Sequence, residues 1–159
     1  MDVTYRPIGT IHSPFVDLRN MPIQPTSESS APGTAEVFPE FAEGLGDLDG
    51  FSHVILLYHL HRTRRAALSV VPFLGDRPRG LFATRAPTRP NPIGLSIVEL
   101  VRIEGHRLHL ANIDVLDATP LLDIKPYVPQ FDRPEQVRVG WIAAAQGEVG
   151  RRRSDGRFA

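Results

Sequence analysis

Thr84, Arg85, Thr88, Arg89 and Asn91 alternate with Pro87, Pro90 and Pro92 in one stretch, residues 81–94, that reads LFATRAPTRPNPIG. Each proline fixes φ and removes a backbone donor, so this is a stiff loop rather than the interior of a strand or helix. Hydrogen-bonding side chains on a stiff backbone lose little further entropy when a ligand arrives. Such a loop suits the holding of anionic or polar groups in fixed places. The same residues also fit a proline-rich connection whose arginines pair with nearby acids, and the stretch alone leaves both readings open.

A second chemical constellation lies between Asn112 and Asp132, NIDVLDATPLLDIKPYVPQFD. Asp117-Ala118-Thr119-Pro120 is turn chemistry that places carbonyls and a carboxylate at a strand end. Extended geometry puts Asp123 and Lys125 on one face with Cα atoms about 7 Å apart, which favours a structural ion pair for Asp123. Lys125 and Tyr127, the latter bracketed by Pro126 and Pro129, are open to a second role. A lysine or phenol beside a reacting nitrogen can orient it or accept its proton.

Charge is distributed unevenly. Between Arg62 and Arg89 stand seven arginines (62, 64, 65, 77, 79, 85, 89) and one acid, Asp76. The preceding stretch carries Glu36, Glu40, Glu43, Asp47 and Asp49 with no base among them. A segregated basic segment fits phosphate binding, and it also fits a solvated face. His53, His59 and His61 suggest a metal site by spacing, but no acidic third ligand accompanies them, and histidines satisfied by backbone groups explain the pattern better. The expectation is no metal. No G-x-S-x-G elbow, P-loop or G-x-G-x-x-G after a strand is present, which removes a serine hydrolase and the common nucleotide folds from consideration.

The elements that must position these groups read as strands. Val3–Ile11 is strand-like, and residues 14–33, rich in Pro, Ser and Thr, form a loop. Ala35–Phe38 predicts a short strand and Glu40–Leu45 a helical turn. Phe51–Leu60, FSHVILLYHL, is continuous and apolar and reads as a strand buried on both faces. Val70–Leu74 and Leu81–Thr84 are further short strands. Leu95–Ile103 and Leu108–Val115 form a hairpin through Glu104-Gly105-His106. Val137–Ala145 is a last strand or short helix. Many short strands with little helical periodicity predict a mainly β fold, a single antiparallel β-barrel with short helices and long loops.

The 159 residues fit one domain, expected over 1–145, with 146–159 as a flexible basic tail. Zero formal net charge excludes nothing, no run is long enough to span a membrane, and the absence of cysteine removes disulfide and thiolate chemistry. These features fit the cytoplasm. Arginine outnumbers lysine 17 to one, so Lys125 stands alone.

GTIHSPF at 9–15, PIQ at 22–24, GFSHVILLYHLHR at 50–62, GLFATRAPTRPNPIGLS at 80–96 and DVLDATPLLDIKPYVP at 114–129 together resemble the TrmO/TsaA-like (YaeB-like) proteins, in order and over most of residues 5–132. The resemblance implies an S-adenosyl-L-methionine-dependent methyltransferase on a β-barrel. It also implies a homodimer with the cofactor near the subunit interface, and N6-methylation of N6-threonylcarbamoyladenosine at position 37 of tRNA. Carried over, it assigns the cofactor to Pro22, Ile23, Gln24, His61, Arg62, Arg85, Leu95, Asp114, Asp117, Ala118 and Thr119. It gives Arg89, Asn91, Lys125 and Tyr127 substrate-side or catalytic roles.

Two departures qualify the resemblance. Ala118 replaces a glycine usual in the family, which carries a penalty if that position has φ > 0. The chain also stops soon after the barrel, where bacterial members carry a further C-terminal domain. A methyltransferase acting on another RNA or a small molecule, and a non-catalytic S-adenosylmethionine-binding module, are therefore the alternatives.

Overall fold

In the computed structural model, which describes residues 1–23, 31–145 and 153–158, six strands close into an antiparallel barrel in the order β1-β2-β7-β6-β3-β8. These are β1 (Gly9–His12), β2 (Gly33–Val37), β3 (His53–His59), β6 (Ile93–Glu104), β7 (Arg107–Ala111) and β8 (Thr119–Pro126). Two further strands, β4 (Ser69–Val70) and β5 (Arg79–Gly80), pair with each other outside the barrel. The mainly β, single-barrel expectation holds. Closure pairs both edges of every barrel strand, which leaves the main barrel without open edges.

The interior is filled by alternate side chains: Ile11, Ala35, Val37, Val54, Leu56, Val98, Leu108, Leu110 and Leu121 are all nearly or fully buried. Period-two alternation explains why β3 departs from the sequence reading. Its continuous apolar run is buried on one face only, with Val54, Leu56 and Tyr58 inside and Ile55 and Leu57 half-buried outside. The apolar character of the outer positions calls for a different explanation from the barrel core.

The expected hairpin is present as β6 and β7, with Glu104 opposite Arg107 and Gly105 at φ 60°, the left-handed value a tight turn requires. Three expectations shift. Residues 1–7 are not strand, because Val3 and Tyr5 find no partner strand and lie exposed. Leu81–Ala83 is a 3-10 turn, its geometry fixed by Thr84 N–H and Thr84 Oγ1 both donating to the Leu81 carbonyl. Of the expected strand Val70–Leu74 only Val70 is strand, in β4, whereas the expected short helices are present as 3-10 turns, Gly140–Ala145 and Pro39–Leu45. A short helix α1 (Pro129–Asp132) follows β8.

Arg153–Phe158, within the segment expected to be a tail, runs back along the barrel mouth. Arg153 bridges Pro22, and Ser154 exchanges backbone hydrogen bonds with Asn20 and Met21. The Ser154 hydroxyl accepts from Met21 N–H at 2.9 Å and donates to the Leu18 carbonyl at 2.6 Å. Phe158 meets Phe73 edge to face at 5.1 Å. These bonds set the loop of residues 18–23 against the end of the barrel.

Candidate functional site

A pocket of about 580 Å³ opens at the end of the barrel where β3 finishes and β6 begins. Its size suits a ligand of nucleoside dimensions. Pro22, Ile23, His61, Arg62, Arg85, Leu95, Asp114 and Thr119 line it, from five separate stretches of chain. Arg89 joins them from the proline-rich loop. Gln24 lies outside the described residues.

The pocket floor is a chain of three polar side chains. Tyr58 on β3 pairs with Gly94 on β6, and a Cβ at Gly94 would fall within the Tyr58 ring. Glycine there lets the ring lie flat across β6 and places its hydroxyl 2.8 Å from Ser96 Oγ. Ser96 Oγ in turn donates to Asp114 Oδ1 at 2.5 Å. Because the single serine proton goes to Asp114, the Tyr58 hydroxyl is the donor to Ser96. Burial raises the Asp114 carboxyl to about 7, against the opposing pull of its Ser96 bond and of the Arg85 charge. The Tyr58 phenol is pushed up, first by burial and then by the Asp114 charge, so it stays protonated as a donor.

His61 forms the opposite wall. Burial first, then the Arg62 charge and His59, holds its pKa below the usual imidazole value, so the ring is neutral at physiological pH. Thr119 Oγ1 donates to the Leu116 carbonyl at 2.7 Å and lies 3.3 Å from His61 Nδ1. With the threonine proton already committed, the imidazole donates from Nδ1 and keeps Nε2 as an acceptor. Arg89 is held by its own loop: Nη1 donates to the Thr84 and Ala86 carbonyls, both at 3.1 Å, and the guanidinium lies over the Phe82 ring. It thus fixes the curvature of the residues that carry Arg85.

Five assigned residues stand just outside the pocket wall or away from it. Asp117 accepts from Ser13 N–H at 3.1 Å and contacts His12 Nδ1 at 3.3 Å, tying the turn before β8 to the end of β1. The Ser13 bond is the main reason its carboxyl titrates below the usual range. Ala118 has φ 60°, so the position that would favour glycine carries the left-handed backbone with alanine in place. Asn91 precedes β6 beside the pocket, its carbonyl accepting from Ile93 N–H. Lys125 and Tyr127 sit elsewhere. Lys125 pairs with Asp123 at 2.8 Å, and that bond raises its pKa. Tyr127 N–H donates to the His53 carbonyl, at the start of β3, while the pocket lies beyond Tyr58, about 17 Å along the strand.

The sequence reading did not single out Tyr58, Ser96, Trp141, Ser154 or Phe158, all but Ser96 among the pocket-lining residues. Ser96 and Tyr58 carry a signal in hindsight: each is a polar group at an inward position of an apolar strand. The residues present offer what a sulfonium nucleoside would need. Arg85 offers a countercharge, Asp114 and His61 Nε2 offer acceptors, and Leu95 and Ile23 offer apolar surface.

Comparison with known proteins places these features in context. Residues 10–133 match the model of the tRNA-methyltransferase O N-terminal domain. A probable S-adenosyl-L-methionine-binding protein of Pyrococcus abyssi is 53% identical over 156 residues, 98% of this chain and 85% of its own. A tRNA (adenine(37)-N6)-methyltransferase of Mus musculus is 35% identical over 84% of this chain but only 32% of its own length. The crystal structure of TrmO from Pseudomonas aeruginosa superposes with a TM-score of 0.75 at 43% identity, covering 89% of this chain and 63% of that one. This chain therefore spans less than two thirds of that structure.

Proposed function

The chain belongs to the tRNA-methyltransferase O N-terminal domain family, and on that premise we propose that it is an S-adenosyl-L-methionine-dependent methyltransferase acting on N6 of (threonylcarbamoyl)adenosine at position 37 of tRNA. The observation that carries this reading is the pocket itself. Eight of the eleven residues assigned to the cofactor from the sequence line one cavity, although they are scattered from Pro22 to Thr119.

S-adenosyl-L-methionine bound there would supply an electrophilic methyl group. The residues of the chain have positioning work to do. Arg85, exposed at the pocket wall, acts on the desolvated Asp114 carboxyl, and the two suit opposite charges on one ligand. Neutral His61 adds an acceptor without adding a repelling charge. Thr119 and the 114–119 turn close the end. Methyl transfer is an in-line displacement in which charge disperses, so holding the acceptor nitrogen in line can provide much of the rate.

Lys125 and Tyr127 complete this reading through a second subunit. On β6, Ile93, Leu95, Ile97 and Val101 face outward and are exposed, beside Ile55 and Leu57 of β3. Ile93 and Leu95 also line the pocket, and Lys125 borders the same face opposite Ile55. A two-fold dimer over this face would cover the apolar stripe and carry Lys125 and Tyr127 of each chain toward the other's pocket. Without a partner, their distance from the pocket favours the alternative, cofactor binding without turnover.

Labelled methyl transfer to total tRNA, with and without threonylcarbamoylation, followed by nucleoside mass spectrometry tests the proposal. Label in N6-methylated threonylcarbamoyladenosine is the expected result. Label in another nucleoside would move the activity to a different RNA position, and cofactor binding without any transfer would leave only a binding module.

A further inference from the structure

Residues 60–92 leave the barrel between β3 and β6 and build a second cavity, of about 890 Å³, lined by Arg64, Arg65, Ser69, Thr88 and Arg157 among others. Only part of its charge is spent internally. Arg157 is committed to Asp155, at 2.7 Å, and to the carbonyls of Val71 and Pro72. Asp76 is the one acid on the wall among the described residues. Arg64 and Arg65 are exposed, and among the described residues neither makes an ion pair or hydrogen bond. Phe158 lines both this cleft and the cofactor pocket, and Thr88 of the cleft adjoins Arg89 of the pocket. The two cavities thus stand back to back.

Between them in the chain is Phe82, 74% exposed on the turn that follows β5. An exposed phenylalanine on a mobile loop means little, but this one is braced. Trp141 Nε1 donates to the Ala83 carbonyl at 2.8 Å, and Arg79 packs over the Trp141 ring at 5.1 Å. The Arg89 guanidinium lies 5.7 Å from the Phe82 ring centroid and is itself bonded to Thr84 and Ala86. A braced, exposed aromatic ring on the same excursion of the chain, residues 60–92, as the exposed Arg64 and Arg65 has the chemistry of a single-stranded nucleic-acid surface, where phosphates take the cations and a base takes the ring.

We propose that Arg64 and Arg65 hold backbone phosphates of a single-stranded RNA segment in the cleft while Phe82 stacks one of its bases, next to the mouth of the cofactor pocket. This rests on the reading of the chain as a tRNA methyltransferase and assigns where the RNA lies. Phosphate contacts set the register and the ring contact requires an unpaired base, so a loop is selected over a duplex.

Binding of a synthetic anticodon stem-loop RNA to the full chain, followed by fluorescence anisotropy across a sodium chloride series, tests this. Arg64→Ala/Arg65→Ala should weaken binding and flatten the slope of log K against log salt by about 1.4, the release expected from two phosphates on a single strand. Phe82→Ala should weaken binding roughly tenfold with the slope unchanged. Heparin, a polyanion without bases, should respond to the double variant and not to Phe82→Ala. S-adenosylmethionine affinity by calorimetry should be unaltered in all variants. If the wild type binds the RNA and the variants match it in affinity and slope, the site assignment fails while the methyltransferase reading stands. Equal losses of RNA and heparin in Phe82→Ala would remove the stacking contact. No RNA binding by the wild type would overturn both readings.

Discussion

Ser96 Oγ donates to Asp114 Oδ1 at 2.5 Å, joining the middle of β6 to the loop that precedes β8 across the pocket floor. The Tyr58 hydroxyl feeds the same serine from β3. Three elements of the barrel therefore meet on one carboxyl, and its protonation state couples the pocket to the fold.

Asp114→Asn should stabilise the protein at high pH. Burial raises the Asp114 pKa to about 7 from 3.8, so between those values the folded chain holds a proton that the unfolded chain has released. The native state binds more protons there, and this group's contribution to stability falls as pH rises through the interval. The cost of burying this carboxyl begins near pH 4, is already partly present at pH 5, and is complete, at up to a few kcal/mol, above about pH 7. Melting temperatures of wild type and Asp114→Asn should therefore diverge between pH 5 and pH 9, with the variant higher at the alkaline end. A constant difference across the range would show that the carboxyl titrates as an ordinary surface acid.

Gly94→Ala should destabilise through one neighbour. The added Cβ would enter the Tyr58 ring, and overpacking of this kind costs about 1–3 kcal/mol. Replacing Tyr58 by alanine in the same chain should recover part of that loss, because the clash is then gone. Denaturant melts of the two single variants and the double variant give the coupling energy. Additive losses would mean that the strand accommodates the methyl group by another route.

How much of this was legible in the sequence differs from residue to residue. The β6–β7 hairpin was readable because Gly105 sits between alternating apolar positions, a local signal. The outer face of β3 was not. Ile55 and Leu57 look like core residues until closure of the barrel assigns one face inward, and that assignment depends on strands far away in the chain. Pro22, Ile23, His61, Arg62, Arg85, Leu95, Asp114 and Thr119 were found through motifs, and the fold explains their gathering by bringing strand ends to one rim. The Tyr58–Ser96–Asp114 chain is a cross-strand relationship set by register, which no local pattern of residues encodes. Register is also what separates Lys125 and Tyr127 from that rim within one chain.

Ala118→Gly should stabilise the protein. Asn20, Asp47 and Asn112 also have positive φ, but those side chains tolerate the left-handed region, whereas alanine does not. Relief of the strain, less the extra freedom glycine gains in the unfolded chain, leaves about 1 kcal/mol. The melting temperature should rise by roughly 2–4 °C. A fall would mean that the turn around Ala118 is held by contacts the methyl group makes.

Arg85→Ala should weaken S-adenosylmethionine binding without any dependence on metal. Arg85 lines the pocket and acts on the Asp114 carboxyl, so its removal takes away a charge-assisted partner worth roughly 1.5–3 kcal/mol. Calorimetry in the presence of a chelator should give the wild-type affinity unchanged and a loss of about one to two powers of ten for the variant. Abolition of wild-type binding by the chelator would require a metal in the pocket.

The proposed dimer makes the sharpest prediction, because Arg85 and Tyr127 would then serve one site from different chains. Arg85→Ala and Tyr127→Phe should each be inactive or nearly so as pure proteins. Tyr127→Phe should keep its cofactor affinity, since Tyr127 lies beside His53 and away from its own pocket. When the two variants are mixed and allowed to exchange subunits, half of the dimers are mixed at random. Each mixed dimer holds one site with both residues damaged and one with both intact. Activity should therefore recover to about a quarter of wild type. Replacing Ile97 and Val101 on the exposed stripe by charged residues should abolish the recovery by preventing association, which sedimentation would register as a monomer. Failure to recover activity despite demonstrated exchange would place Arg85 and Tyr127 in service of the same chain. A wild-type protein that sediments as a monomer while fully active would remove the shared site.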